Sequence, residues 1–123
     1  MNELVLLVDD DPVNLKRAQL ILAKEGFRIA ATLSGKQAFS FLSKNRPDII
    51  FLDINMPEMD GFEVLERLKG DDGLRPIPVV LLSADTDEAV RERGLALGAA
   101  GFLGKPFLDT EVRECIYKIL AKD

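Results

Sequence analysis

The sequence predicts an α/β domain built on one parallel sheet with helices packed on both faces. Three observations carry that expectation. Five short apolar runs alternate with five amphipathic stretches along the chain. Three of the runs are almost continuously apolar, as strands covered on both sides are. Three of the amphipathic stretches open on a capping residue, and three are followed by glycine.

The elements follow in order. Leu4–Val8 reads as the first strand. Asp11-Pro12 opens the first helix, with an N-cap and a proline at the first helical position. Leu15, Ala18 and Leu22 make its apolar stripe, and Gly26 ends it. Phe27–Ala31 is the second strand. Ser34, with Gln37 three residues on, has capping-box spacing and opens the second helix. Ala38, Phe41 and Leu42 are expected to face the sheet. Asp48–Leu52 is the third strand. Asp60 and Glu63 repeat the capping spacing at the third helix, which carries Leu65 and Leu68 and stops at Gly70. Asp71-Asp72-Gly73 and Arg75-Pro76 mark a looser loop. Pro78–Leu82 is the fourth strand. The fourth helix is expected from about Thr86 to Leu97, with Gly98 beyond. Ala100–Leu103 is the fifth strand. The fifth helix is expected from about Asp109 to Ala121, with Val112, Ile116 and Ile119 inward. A run of βα units implies parallel strands with helices on both faces. Without repeat, low-complexity stretch or linker, residues 1–123 read as one domain.

Composition narrows the function. With 47% hydrophobic residues over 123, the chain can bury a core without disulfides or metal staples. The apolar runs Ile49–Leu52 and Val79–Leu82 are too short to cross a bilayer. Leu4–Val8 follows Glu3 and has no basic flank, so it does not read as a signal peptide, and a cytoplasmic location is expected. Cys115 is the only cysteine, which excludes an intramolecular disulfide, and it reads as buried filler in the last helix. Histidine is absent. That removes Ser-His-Asp chemistry, a phosphohistidine on this chain and most zinc sites. The net charge of −5, with no basic cluster, argues against nucleic acid or an anionic membrane as direct partner.

In an open parallel sheet, ligands bind beyond the carboxyl ends of the strands. Asp9, Asp10 and Asp11 follow the first strand, Asp53 and Asn55 the third, Ser83 and Ala84 the fourth, and Lys105-Pro106 the fifth. Asp11 reads as a helix cap. Asp9, Asp10 and Asp53 bring about three negative charges to one edge, a costly arrangement unless cations neutralise it. Hard oxygen ligands suit Mg²⁺, and the lack of histidine argues against zinc. With the cation in place, Asp53 is a candidate nucleophile for an aspartyl-phosphate, and Lys105 a stabiliser of the transferring phosphoryl oxygens.

Val8-Asp9-Asp10, Asp53 through Gly61, Ser83-Ala84 and Gly101 through Phe107 together resemble a CheY-like receiver domain of two-component response regulators. The resemblance covers the whole chain in order and spacing. It implies a flavodoxin-like (βα)5 fold, a three-layer α/β/α sandwich with strand order 2-1-3-4-5. It implies that Asp53 is the phospho-acceptor. Asp10, Asp53 and the Asn55 carbonyl would bind Mg²⁺ directly, with Asp9 acting through water. Lys105 would pair with the acceptor and then with the phosphoryl group. Ser83 and Phe102 would be the switch residues, and the Lys105-Pro106 bond would be cis. Asn55 and Asp85 occupy positions that tune dephosphorylation in the family, where polar residues go with short-lived phosphorylation.

The partners implied are a sensor histidine kinase or phosphotransfer protein and a downstream effector, separate or fused. A homodimer on activation belongs to the same set. Ala99-Ala100 replace the acidic residues of receivers that dimerise by ion pairs on the fourth-helix to fifth-helix face, which counts against that mode. No turnover of an external substrate is expected. Three other readings are weighed. A haloacid-dehalogenase-type phosphatase also starts with a pattern like Asp9-Asp10-Asp11-Pro12-Val13, but needs an acidic pair after its lysine, where only Asp109 and Glu111 stand here. A pseudo-receiver would serve only as an interaction module, and would normally have lost part of the acidic set. A flavin-binding member of the fold would want a Ser/Thr-rich phosphate loop after the first strand, where three aspartates would repel phosphate. Ser83 also suits a local cap, and Phe102 also suits plain core.

Overall fold

The computed structural model describes residues 3–120. Strands β1 (Leu4–Val8), β2 (Arg28–Thr32), β3 (Ile49–Asp53), β4 (Val79–Ser83) and β5 (Gly101–Gly104) form one sheet in the order β2-β1-β3-β4-β5. Every neighbouring pair is parallel. Helices α1 (Pro12–Lys24), α2 (Gly35–Leu42), α3 (Gly61–Lys69), α4 (Glu88–Ala96) and α5 (Asp109–Leu120) alternate with the strands. This is the expected three-layer sandwich, with the reversal of strand order lying between β1 and β3.

Successive strand residues point to opposite faces, so each buried strand feeds two cores. Val5, Leu7, Ile49, Phe51, Val80 and Leu82 pack under α1 and α5, against Leu15, Ala18, Leu22, Val112 and Ile116. Leu6, Val8, Ile50, Leu52, Val79 and Leu81 pack on the other side, against Ala38, Leu42, Val64, Leu65 and Leu68. Truncating one of these buried leucines to alanine costs about 2–5 kcal/mol. Phe41 and Ile119 only border these cores and are half-buried.

The caps form as the sequence suggests. The side chains of Asp11, Ser34 and Asp60 accept from the backbone N–H groups of Val13, Gln37 and Glu63. Gly26, at φ +88°, closes α1: its N–H donates to Ala23 and that of Phe27 to Leu22. Gly98, at φ +107°, closes α4 in the same way.

The boundaries differ in two ways. Strands β2 to β5 each begin one residue later than the apolar runs, and β2, β3, β4 and β5 end one later, on Thr32, Asp53, Ser83 and Gly104. An apolar run records burial, whereas a strand is defined by its ladder. Phe27 is buried, but its N–H closes α1. At the other end, neighbouring strands keep pairing through the first polar residue. The second difference is α4, which starts at Glu88 with Asp87 as N-cap rather than at Thr86. Ser83 Oγ accepts from Asp85 N, Asp85 Oδ1 from Asp87 N, and Asp87 Oδ1 from Ala89 N. This relay of local bonds competes with helix over residues 84–87. The last residue expected in α5, Ala121, lies outside the described residues. The loop before β4 is tied down by Lys69 Nζ, which donates to the carbonyls of Arg75 and Ile77.

Candidate functional site

The sheet ladder itself aims the site. Val8 pairs with Leu52, Asp53 with Leu82, and Ser83 with Gly104, so the carboxyl ends lie level. Three further backbone bonds carry the register one residue beyond: Asp9 N to Thr32 O, Ile54 N to Leu82 O, and Lys105 N to Ser83 O. Asp9 and Lys105 therefore leave the sheet with their backbones held. Asp53 and Ser83 do not follow their strands but end them, which is why both are buried.

Lys105 Nζ lies 2.9 Å from Asp9 Oδ2 and 2.9 Å from Asp53 Oδ1. The other oxygen of Asp9 accepts from Asp11 N at 2.9 Å. Carboxylate oxygens of Asp9, Asp10 and Asp53 all come within 4.8 Å of one another. Asp10 is exposed, while Asp9 and Asp53 are buried. Burial pushes the Asp53 carboxyl up to about 6, the charges of Asp9 and Asp10 push the same way, and the Lys105 ammonium opposes them. Burial alone would lower the Lys105 ammonium, but the bonds to Asp53 and Asp9 outweigh it and hold it above its ordinary range.

These residues fit a hard divalent cation. The donors are all oxygen, histidine is absent from the chain, and Cys115 is far along the sequence in α5. Three carboxylates against one ammonium leave about two negative charges to neutralise. Burial is the main cause of the raised Asp53 carboxyl, and the neighbouring Asp9 and Asp10 charges add to it. Mg²⁺ takes one or two carboxylates and keeps room for water and phosphate oxygens. Asn55 is exposed two residues beyond Asp53.

The remaining residues sort as follows. Ser83 is fully buried, and its Oγ is engaged by Asp85 N, on the loop side of β4. Phe102 is half-buried and packs against the core on the α2, α3 and α4 side. It also lines a depression of about 510 Å³ with Arg91, Leu95 and Cys115. Cys115 is half-buried rather than buried, and burial raises its thiol out of the reactive range. Lys105-Pro106 is cis. Asp11 serves α1, accepting from Val13 N and from the Asn14 side-chain amide. Asp109 and Glu111 sit in the first turn of α5, where Glu111 accepts from Leu108 N. They form no acidic pair with the site of the kind a haloacid-dehalogenase phosphatase needs. Sequence reasoning missed the packing of α3 onto the site. A Cβ on Gly61 would stand 2.4 Å from the Asp53 carbonyl oxygen, and Gly61 N donates to Ile54 O. The Asp60-Gly61 pair signalled only a turn.

An open parallel sheet with an acidic cluster and one lysine at its carboxyl edge defines a phospho-accepting signalling domain. The chain belongs to the response regulator receiver domain family, which it matches over residues 5–117. It is 39% identical over 109 residues to the response regulator PleD of Caulobacter vibrioides, covering 89% of this chain and 24% of that protein. It is 37% identical over 119 residues to the probable transcriptional regulator ycf29 of Porphyra purpurea, covering 97% and 57%. The chain thus spans about a quarter to just over half the length of these curated relatives. Among solved structures, a putative response regulator from Chloroflexus aurantiacus superposes with TM-score 0.94 at 29% identity, covering 99% of this chain and 100% of that one. The receiver domain of a sensor histidine kinase from Pseudomonas aeruginosa superposes with TM-score 0.90 at 27% identity, covering 99% and 100%, and holds a magnesium ion in its active-site cleft. The chain is accordingly a two-component receiver with a Mg²⁺-dependent aspartate site, in a family that works with histidine kinases and does not turn over an external substrate. No described helix is long and apolar enough to cross a membrane.

Proposed function

We propose that residues 1–123 are one receiver domain that accepts a phosphoryl group on Asp53 from the phosphohistidine of a sensor kinase or phosphotransfer protein. The observation that carries this reading is the junction of Lys105 with Asp53 and Asp9, beside Asp10. An Asp53 carboxylate oxygen attacks phosphorus, the bond from phosphorus to the donor nitrogen breaks, and the imidazole leaves with the electron pair. Asp10, Asp53 and the Asn55 carbonyl would hold Mg²⁺, with Asp9 supporting it through water. When bound, the metal neutralises charge on the transferring phosphoryl oxygens. Lys105 keeps Asp53 oriented and then follows its charge onto the phosphoryl group.

Phosphorylation shifts a pre-existing equilibrium. Ser83 leaves Asp85 N for a phosphoryl oxygen, and Phe102 repositions with it. The output surface is α4, β5 and α5, where Phe102 borders an open depression. The domain works in the cytoplasm, without contacting nucleic acid or membrane directly. It controls an effector that is either a separate protein or a fused domain, with a homodimer on activation as one form of output. The intact acidic set favours this over a pseudo-receiver.

The test is labelling by acetyl phosphate with Mg²⁺, read by intact mass. One phosphoryl group per chain, decaying with time and absent in Asp53→Ala, is the expected result. Equal labelling of Asp53→Ala, or steady release of inorganic phosphate from a phosphomonoester, overturns the assignment.

A further inference from the structure

We propose that the stack of Arg93 on Phe62 is a latch that holds α4 in its resting position and couples it to Asp53 through α3. The proposal rests on the acceptor reading of Asp53 and adds a second route from that residue to the output surface.

Helix α4 is weakly anchored. Gly94 is its only buried residue, and its nine residues are otherwise mostly charged or small. Gly94 allows a close approach: a Cβ there would stand 2.4 Å from Leu81 Cδ1 and 3.8 Å from the Phe62 ring edge. No large apolar side chain of α4 is fully buried. Val90 packs against the α3-side core but is only partly buried, and a further contact to α3 is polar on one side only. The Arg93 guanidinium lies 4.1 Å from the centroid of the Phe62 ring, within cation–π range.

Phe62 is itself fixed to the acceptor. It is 6% exposed and stands in the first turn of α3, next to Gly61. Gly61 packs against the Asp53 carbonyl and donates to Ile54 O at 2.8 Å, so α3 begins in contact with the end of β3. The backbone of Asp53, the start of α3, the Phe62 ring and Arg93 thus form one contiguous path to α4. Any shift of the Asp53 to Ile54 backbone that accompanies phosphorylation moves the ring under Arg93. Conversely, loosening the stack lowers the cost of leaving the resting arrangement. By linkage, a ligand that favours the other arrangement then binds more tightly.

The test uses the whole chain and two readouts. The first is amide exchange over α4 without Mg²⁺ or phosphoryl mimic. Arg93→Ala and Arg93→Gln are expected to speed exchange of α4 about twofold to fivefold, and Arg93→Lys to restore most of the protection, as a retained cation over the ring would. The second is affinity for beryllofluoride with Mg²⁺, expected to rise by a similar factor in Arg93→Ala. Phe62→Leu, which keeps bulk and loses the π face, is expected to match Arg93→Ala in both. Unchanged α4 exchange in Arg93→Ala overturns the latch, whatever the mimic does. Faster exchange with unchanged or weaker mimic affinity overturns the coupling. Wild-type protein that takes up no mimic removes the coupling together with the acceptor reading, a failure distinct from an unchanged α4.

Discussion

Lys105 Nζ stands 2.9 Å from Asp53 Oδ1, and the same ammonium is 2.9 Å from Asp9. One cation thus spans both buried carboxylates of the site, and its own side chain is only 12% exposed. Lys105→Met is expected to keep the fold, since methionine fills a similar space. It is expected to slow labelling by acetyl phosphate about a hundredfold, the scale of losing one charge-stabilising donor. Intact-mass time courses at saturating Mg²⁺ check this. A rate within threefold of wild type would remove Lys105 from the chemistry.

The raised Asp53 carboxyl makes metal-free stability depend on pH. The native state holds this proton up to about pH 6, whereas the unfolded chain releases it near its ordinary 3.8. The stability associated with the protonated form is complete below that lower value and is lost as pH rises through about 6. The gap of roughly two units corresponds to at most about 3 kcal/mol. Asp53→Asn is expected to flatten this slope and to stabilise the metal-free protein at pH 7. Mg²⁺ is expected to restore stability to wild type at pH 7 and much less at pH 5, where protons compete for the same oxygens. Urea titrations at both pH values, with Mg²⁺ and with chelator, read all three. An Asp53→Asn protein with the wild-type slope would refute the attribution to Asp53.

Ser83 Oγ accepts from Asp85 N at 2.9 Å, which anchors the relay of local bonds before α4. Ser83→Ala is expected to lower stability by about 1 kcal/mol, one ordinary hydrogen bond. Labelling of Asp53 is expected to continue in this variant. The change in amide exchange over β5 and α5 on adding beryllofluoride is expected to shrink. A full wild-type response in Ser83→Ala would exclude the hydroxyl as a switch.

The turn between β3 and α3 contains opposite backbone demands. Glu58 has φ +69°, which costs a residue with a side chain about 1 kcal/mol, and Met59 N closes the turn onto Pro57 O. Glu58→Gly is expected to be neutral or stabilising by up to about 1 kcal/mol. Gly61→Ala is expected to destabilise by more than about 2 kcal/mol, because the added carbon would press on the Asp53 carbonyl. Chemical denaturation of the pair decides it. A Gly61→Ala protein as stable as wild type would show that α3 is free to retreat from Asp53.

Much of the site was legible because the polar residues interrupt apolar strands. Asp9, Asp53 and Ser83 mark where buried runs stop and Lys105 follows the half-buried β5, and the carboxyl edge of a parallel sheet collects such residues. The caps at Asp11, Ser34 and Asp60 were equally legible, since each bond spans only two or three residues. The start of α4 was misplaced for a related reason. Ser83, Asp85 and Asp87 can cap a helix or build successive turns, and the choice depends on where β4 ends.

The amino-acid pattern alone determined the βα alternation, the parallel sheet and the candidate acidic and basic groups, because burial and capping write themselves into local composition. Only the tertiary structure decided that Asp53 and Ser83 end their strands inside the protein, that Lys105 touches two carboxylates rather than one, and that Arg93 lies over Phe62. Those relationships join segments 21 to 96 residues apart only through the register of neighbouring strands and the packing of helices on them. Distances of that kind are set by the whole core at once, and no stretch of sequence holds them by itself.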